Sequence, residues 1–348
     1  MLCAAPASGH IVYAGPTLHQ LVASAEVVAR ARIAGADEAW VIPLALRRPV
    51  IEAELVEVWK GGLPAGRLRF AQHGHGVATF EAGHEVVVFL SPASRSRELE
   101  LLASAGVLDW VSLQEHDDEW TLVPGSADAV ASAVQGYATL ERVEDPKKRV
   151  AGLHQLTLEL LESSDPRLAT SALQDLVRAG DALVLTRDDL PTLSPLLEDP
   201  RRPIGLRAGV LAELARRGLV QGDAPWARLV DSARAADLPA AVRAAGAHPG
   251  PAVTARLAQI LEGDALDAAE SAAVALGMPG NDAAVAPLSR ALASGEARLR
   301  MAAIRGLGRI GTPDARAALA AAASGNDDPD ARRRAVAELR VLERAATR

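Results

Sequence analysis

Apolar positions in the last third of the chain recur with a fixed period. Leu214, Ala245, Leu276 and Leu307 stand 31 residues apart, and Leu339 follows one residue late. A second series, Leu257, Leu288 and Leu319, keeps the same spacing. Two apolar ridges sharing one period predict two helices per unit, stacked as an α-α solenoid, because a single unit cannot bury its apolar faces alone. Between about residues 21 and 123 the period drops to two. Residues 26–33 and 50–59 alternate, 67–70 and 85–90 read as further strands, and 107–113 and 120–123 as short late ones. Gly61-Gly62, Pro64 and Gly83 punctuate them. About five short strands of this kind predict a small antiparallel β-barrel, closed or partly open.

Residues 126–142 read as a connecting helix. The pair Asp-Pro then recurs at 145–146, 165–166, 199–200 and 328–329. An Asp carboxylate accepts from the free N–H groups of a first helical turn, and Pro is tolerated at the first helical position. Each pair therefore predicts a helix start. Helices near 146–163 and 165–179 fall outside the 31-residue phase and read as an irregular first repeat that caps the solenoid against the barrel. The phase is interrupted again at His248-Pro249-Gly250-Pro251, where a short turn is expected. The predicted organisation is a leader at 1–20, a barrel at 21–123, a connecting helix at 124–145 and helical repeats at 146–348. The fold class is α+β, multidomain.

Three of the strands carry a resemblance. Ser24–Ala31, Glu54–Gly61 and Phe80–Leu90 resemble a strand pattern common in exported bacterial proteins. The fold this implies is an OB-like barrel of the netrin or metalloproteinase-inhibitor type. Animal members of that superfamily inhibit metalloproteases through an N-terminal cysteine held in a disulfide. The partner cysteines are missing here, so that activity is not carried over. The segment Leu299–Ala315, with Leu319 after it and a last copy opening at Asp330, resembles bacterial HEAT repeats, including the type found in phycobilisome lyases. Lyase activity is not implied, because the repeat serves many unrelated proteins.

Charge is unevenly spread over the 348 residues. Residues 1–145 carry 10 basic and 19 acidic groups, whereas residues 290–348 carry 12 and 7, within a chain of net charge −7. Cys3 is the only cysteine, which excludes a disulfide within the chain. Ala5-Pro6-Ala7 matches the small-x-small end of an export signal whose charged and apolar parts are missing. An ordinary disordered N-terminus and a lipid anchor on Cys3 are the other accounts of this segment. No run of 18 apolar residues is present, so no transmembrane helix is expected.

Candidate chemistry is sparse. His73 and His75, with His84 further on, form the one histidine cluster and could make a zinc set. The His-x-His-x-Asp-His continuation of metallohydrolases is absent, and a polar hairpin tip explains the same residues. Asp117-Asp118-Glu119 reads as a solvated turn. No nucleophile motif, phosphate-binding glycine loop or catalytic cysteine is found. In the basic end, Arg298, Arg305 and Arg309 share a helical face by their spacing, and Arg332-Arg333-Arg334 follow. Such a ridge suits nucleic acid, an anionic envelope polymer or an acidic partner protein. The plainer account is a solvated face, part-paired with Asp314, Asp327 or Asp330.

These observations lead to the expectation of a non-enzymatic interaction or scaffold protein, with no cofactor, no metal and no membrane span. A protein partner is expected on the concave face formed by the second helices, with the six arginines as contact candidates. The expected location is periplasmic or secreted, or cytoplasmic if nothing precedes residue 1. The alternatives are a metal-binding protein or metal-dependent hydrolase using His73, His75 and His84, and a nucleic-acid binder using the basic end.

Overall fold

The computed structural model describes residues 15–41, 46–72, 79–95, 99–104, 108–114, 120–179 and 183–346. The chain divides into two compact units, Met1–Val184 and Leu185–Arg348.

In the first unit β1 (Val27–Val41), β2 (Leu46–Lys60), β3 (Arg67–Ala71), β4 (Glu85–Pro92) and β5 (Trp110–Ser112) close into a barrel in the order β1-β2-β3-β5-β4. Val27, Ala29 and Ala31 of β1 and Val86, Val88 and Leu90 of β4 fill its interior with Phe70 and Phe80. The alternate residues of β4, Val87 and Phe89, are buried on the outer side, where Phe89 meets Trp120 edge-on. Burial of both faces explains why this strand reads as an unbroken apolar run. β4 pairs with β1 on one edge and with β5 on the other. A closed ring of five strands cannot alternate in direction all the way round. The expectation of a wholly antiparallel barrel is therefore corrected at one place, the parallel pairing of β3 with β5 at Phe70↔Trp110. Beyond β5, the Gln114 side chain continues the ladder: its Oε1 accepts from Phe89 N–H at 3.2 Å and its Nε2 donates to the Val87 carbonyl at 2.9 Å.

Among the described residues this unit also holds the α-helices α1 (Leu18–Ser24), α2 (Glu100–Ser104), α3 (Ala127–Glu141), α4 (Pro146–Leu161) and α5 (Pro166–Arg178). The expected leader at 1–20 is corrected over its last residues. Thr17 caps α1 and is buried together with Leu18; residues 1–14, with Cys3, lie outside the described residues. The anchor is polar. Buried Asp175 of α5 accepts from the hydroxyls of Thr17 and of Tyr137, the latter at 3.2 Å, and Ser171 Oγ accepts from Leu18 N–H at 2.7 Å. Burial pushes the Asp175 carboxyl above the usual range, against the opposing pull of Thr17, His19, Tyr137 and Arg178. Asp145 and Asp165 cap α4 and α5 as their Asp-Pro pairs predict. Both helices stand in the barrel's unit, so the boundary between units falls well beyond residue 145.

The second unit is built from α6 (Leu190–Glu198), α7 (Ile204–Arg216), α8 (Ala224–Asp231), α9 (Leu238–Gly246), α10 (Pro251–Leu261), α11 (Leu266–Leu276), α12 (Val285–Ala291), α13 (Ala297–Ile310), α14 (Pro313–Gly325) and α15 (Pro329–Ala346). First helices pack in succession, α7 on α9, α11, α13 and then α15, and second helices likewise from α8 to α14. Leu214, Ala245, Leu276 and Leu307 are buried at matching places in α7, α9, α11 and α13. Leu257, Leu288 and Leu319 are buried in α10, α12 and α14. A Cβ on Gly277, just past α11, would lie 2.7 Å from the Gly306 Cα, so here the backbones of successive repeats touch. Gly311 ends α13 with φ +68°, the left-handed conformation that Gly adopts without a Cβ penalty.

Asp199-Pro200 does not open a helix. Asp199 closes α6 and accepts from Arg201 N–H at 2.9 Å, and α7 starts only after Pro203. Pro203 disfavours helical backbone at Arg202, so no helix can run through from Pro200. At the 248–251 interruption, the His248 ring stacks on Trp226 at 3.6 Å, and Asp223 accepts from Val253 N–H at 2.9 Å in the first turn of α10.

Leu307→Ala should cost about 2–5 kcal/mol, the usual range for emptying a packed leucine site. Chemical denaturation of the full chain measures this, and a loss below the range would remove Leu307 from the core. Asp175 has a raised folded-state pKa, so folding takes up a proton there. Its stabilising contribution is complete below the unfolded carboxylate pKa and is lost as pH rises through the raised folded value. Asp175→Asn should flatten that part of the stability–pH curve, as read by thermal melts across mildly acid pH.

Candidate functional site

The basic end is where the sequence concentrates candidate contacts, and the structure separates its six arginines. Arg298, Arg305 and Arg309 are exposed on α13. Arg298 reaches back one repeat to α11, 2.5 Å from Glu270 and 3.1 Å from Asp267. Arg309 donates over 3.4 Å to the Val274 carbonyl of the same helix. Arg305, one turn before Arg309, has no partner among the described residues. On α15, Arg332 donates to the carbonyls of Asn326 and Asp327, Arg333 pairs with Asp330, and Arg334 lies 2.5 Å from Glu338. The six do not form one open ridge. What remains open is Arg305, with Arg309 one turn on reaching Val274, a residue 44% exposed.

Three inter-repeat ion pairs share one spacing. Arg290 to Glu262, Arg298 to Glu270 and Arg300 to Asp328 each link residues 28 apart. Arg300 is the most enclosed, with Asp328 at 2.6 Å and the Ser294 and Gly295 carbonyls at 2.7 and 2.9 Å. The Arg300 guanidinium holds the Asp328 carboxyl below its ordinary range, helped by the Asp330 backbone N–H. Sequence reasoning passed over this ladder, although opposite charges at a constant 28-residue offset would have revealed it.

The histidine group divides. His73 and His75 lie outside the described residues, as do Asp117, Asp118 and Glu119. His84 Nε2 is 3.6 Å from Glu81. Among the described residues no three His, Cys, Asp or Glu side chains come together as metal ligands, and no helix is long and apolar enough to cross a membrane.

Residues 254–340, from α10 into α15, match the family model for HEAT repeats. No curated protein matches the chain. Among solved structures, human deoxyhypusine hydroxylase in complex with glycerol is similar at 20% identity, over 62% of this chain and 85% of that one, with a TM-score of 0.30. A likeness at that level assigns no residue a role. That neighbour is an enzyme, and the expectation of a non-enzymatic chain is withdrawn.

Asp328 has a folded pKa below its unfolded value, so its contribution is present above the unfolded pKa and is lost as pH falls through the folded one. Arg300→Ala should lower the melting temperature at neutral pH and reduce this acid-side loss. Melts of both proteins between neutral and strongly acid pH test the pairing, and parallel curves would deny it.

Proposed function

We propose that the protein binds a partner protein through its HEAT-like repeats, on the first-helix surface that carries Arg305 and Arg309 on α13 and the exposed Val274 on α11. The carrying observation is the free Arg305: its neighbours on the ridge are engaged within the chain, and Arg309, one turn on, reaches the backbone of Val274, an exposed apolar residue. A patch of this composition suits an acidic segment that also carries an apolar residue, because rim charge sets orientation while apolar contact supplies burial. We further propose an OB/netrin-type barrel and a location in the bacterial envelope or outside the cell. The closed five-strand order supports the first. The resemblance of β1, β2 and β4 to strands of exported proteins supports the second.

Nucleic acid is the competing ligand for the same arginines. A photo-crosslinking residue in place of Arg305, carried by the full chain in its native cell, separates the two. The expected result is a discrete protein adduct in the envelope or exterior fraction, lost when Arg309→Glu is added. A nucleic-acid adduct would overturn the reading.

A further inference from the structure

The second-helix layer of the repeat unit has one break. α8 packs on α10, α10 on α12 and α12 on α14, but α6 and α8 barely meet. A cavity of about 400 Å³ opens between them, floored by Leu211 and Leu214 of α7 and walled by Leu197 and Leu229.

The gap is held by a buried cation. Arg207 of α7 is only 1% exposed. Its Nε donates to the Leu197 carbonyl at 2.8 Å, and its two terminal nitrogens donate to the carbonyl, at 3.3 Å, and the hydroxyl of Ser232. These acceptors lie at the C-terminal ends of α6 and α8. The guanidinium thus fixes both ends at one side of the cavity, satisfying carbonyls that a helix leaves without intrahelical partners.

Two helix C-termini converge there, and the Arg207 guanidinium offsets their partial negative charge, so the free negative charge at the cavity comes from its lining carboxylates, Glu198 and Asp231. Asp231 is matched by Arg256 at 2.5 Å. Glu198 is exposed and has no ion-pair partner among the described residues. Arg228, one turn earlier on α8, lines the opposite wall and repels a cation placed beside it. A positive group in the cavity is therefore confined to the Glu198 side.

We propose that this cavity binds a small apolar cation of the alkylamine class, with its apolar body on the leucine floor and its ammonium at Glu198. The volume falls in the range of small-ligand pockets, which pair an apolar lining with a few placed polar groups. This site stands apart from the Arg305 surface and does not depend on it.

Calorimetric titration of the full chain with decylammonium, decanoate and decanol, each kept below micelle formation, tests the assignment. Decylammonium should bind about tenfold more tightly than the other two, the worth of one charge-assisted contact. Glu198→Gln should abolish that preference while leaving the apolar contribution. Ser194→Trp, on the exposed rim, should close the mouth and remove binding altogether. Absence of decylammonium binding, equal binding of decanoate, or binding unchanged in both variants would overturn the proposal. Unchanged melting of the Glu198→Gln protein keeps the result independent of folding.

Discussion

Backbone contact between successive first helices sets the geometry of the repeat unit. Gly277 meets Gly306 with no side chain between them. That approach brings Leu276 and Leu307 into one apolar layer and places each first helix within reach of its neighbour's charges. The 28-residue ion pairs follow from the same spacing. With helices this close, Arg298 spans to Glu270, and Arg300 spans to Asp328 at the start of α15. Bulkier residues at the contact would widen the stack and part both the leucine layer and the ladder.

This use of charge changes the meaning of a basic surface. A run of arginines in sequence suggests an open cationic face, yet most of these join one repeat to the next or tie down a turn. Exposed pairs of this kind add little stability singly. Their effect is geometric: each pairing takes a cation off the surface available to a partner and leaves Arg305 open. The α6–α8 break obeys the same logic in the opposite direction. There a buried guanidinium fastens two helix ends by their carbonyls, and Glu198 beside them has no ion-pair partner among the described residues.

The barrel unit depends on a different constraint. Five strands closing in a ring force one parallel pair, and β5 supplies it with only three residues. So short a strand leaves β4 in need of further partners, which Gln114 and the segment around Trp120 provide through side-chain and backbone bonds. The buried polar cluster around Asp175 then ties α1 to α3 and α5. Its hydrogen bonds offset the cost of burying the carboxyl, and they order residues that composition alone assigns to a loose leader.

Much of the fold was legible because periodicity records burial directly. The 31-residue series found the layer containing Leu276, Leu307 and Leu288, and the unbroken apolar run at 85–90 found a strand covered on both faces. Asp145, Asp165 and Asp328 marked helix starts because capping acts within one turn. Asp199 failed as a marker because Pro203, four residues on, vetoed the helix. Pairing was not legible in the same way. Whether Arg298 faces solvent or Glu270, whether Thr17 meets Asp175, and whether α6 meets α8 depend on contacts between residues distant along the chain. Local pattern states which side of an element is apolar. The partner that side or its charges will meet is set by packing distances between elements, and these exist only once the chain is folded.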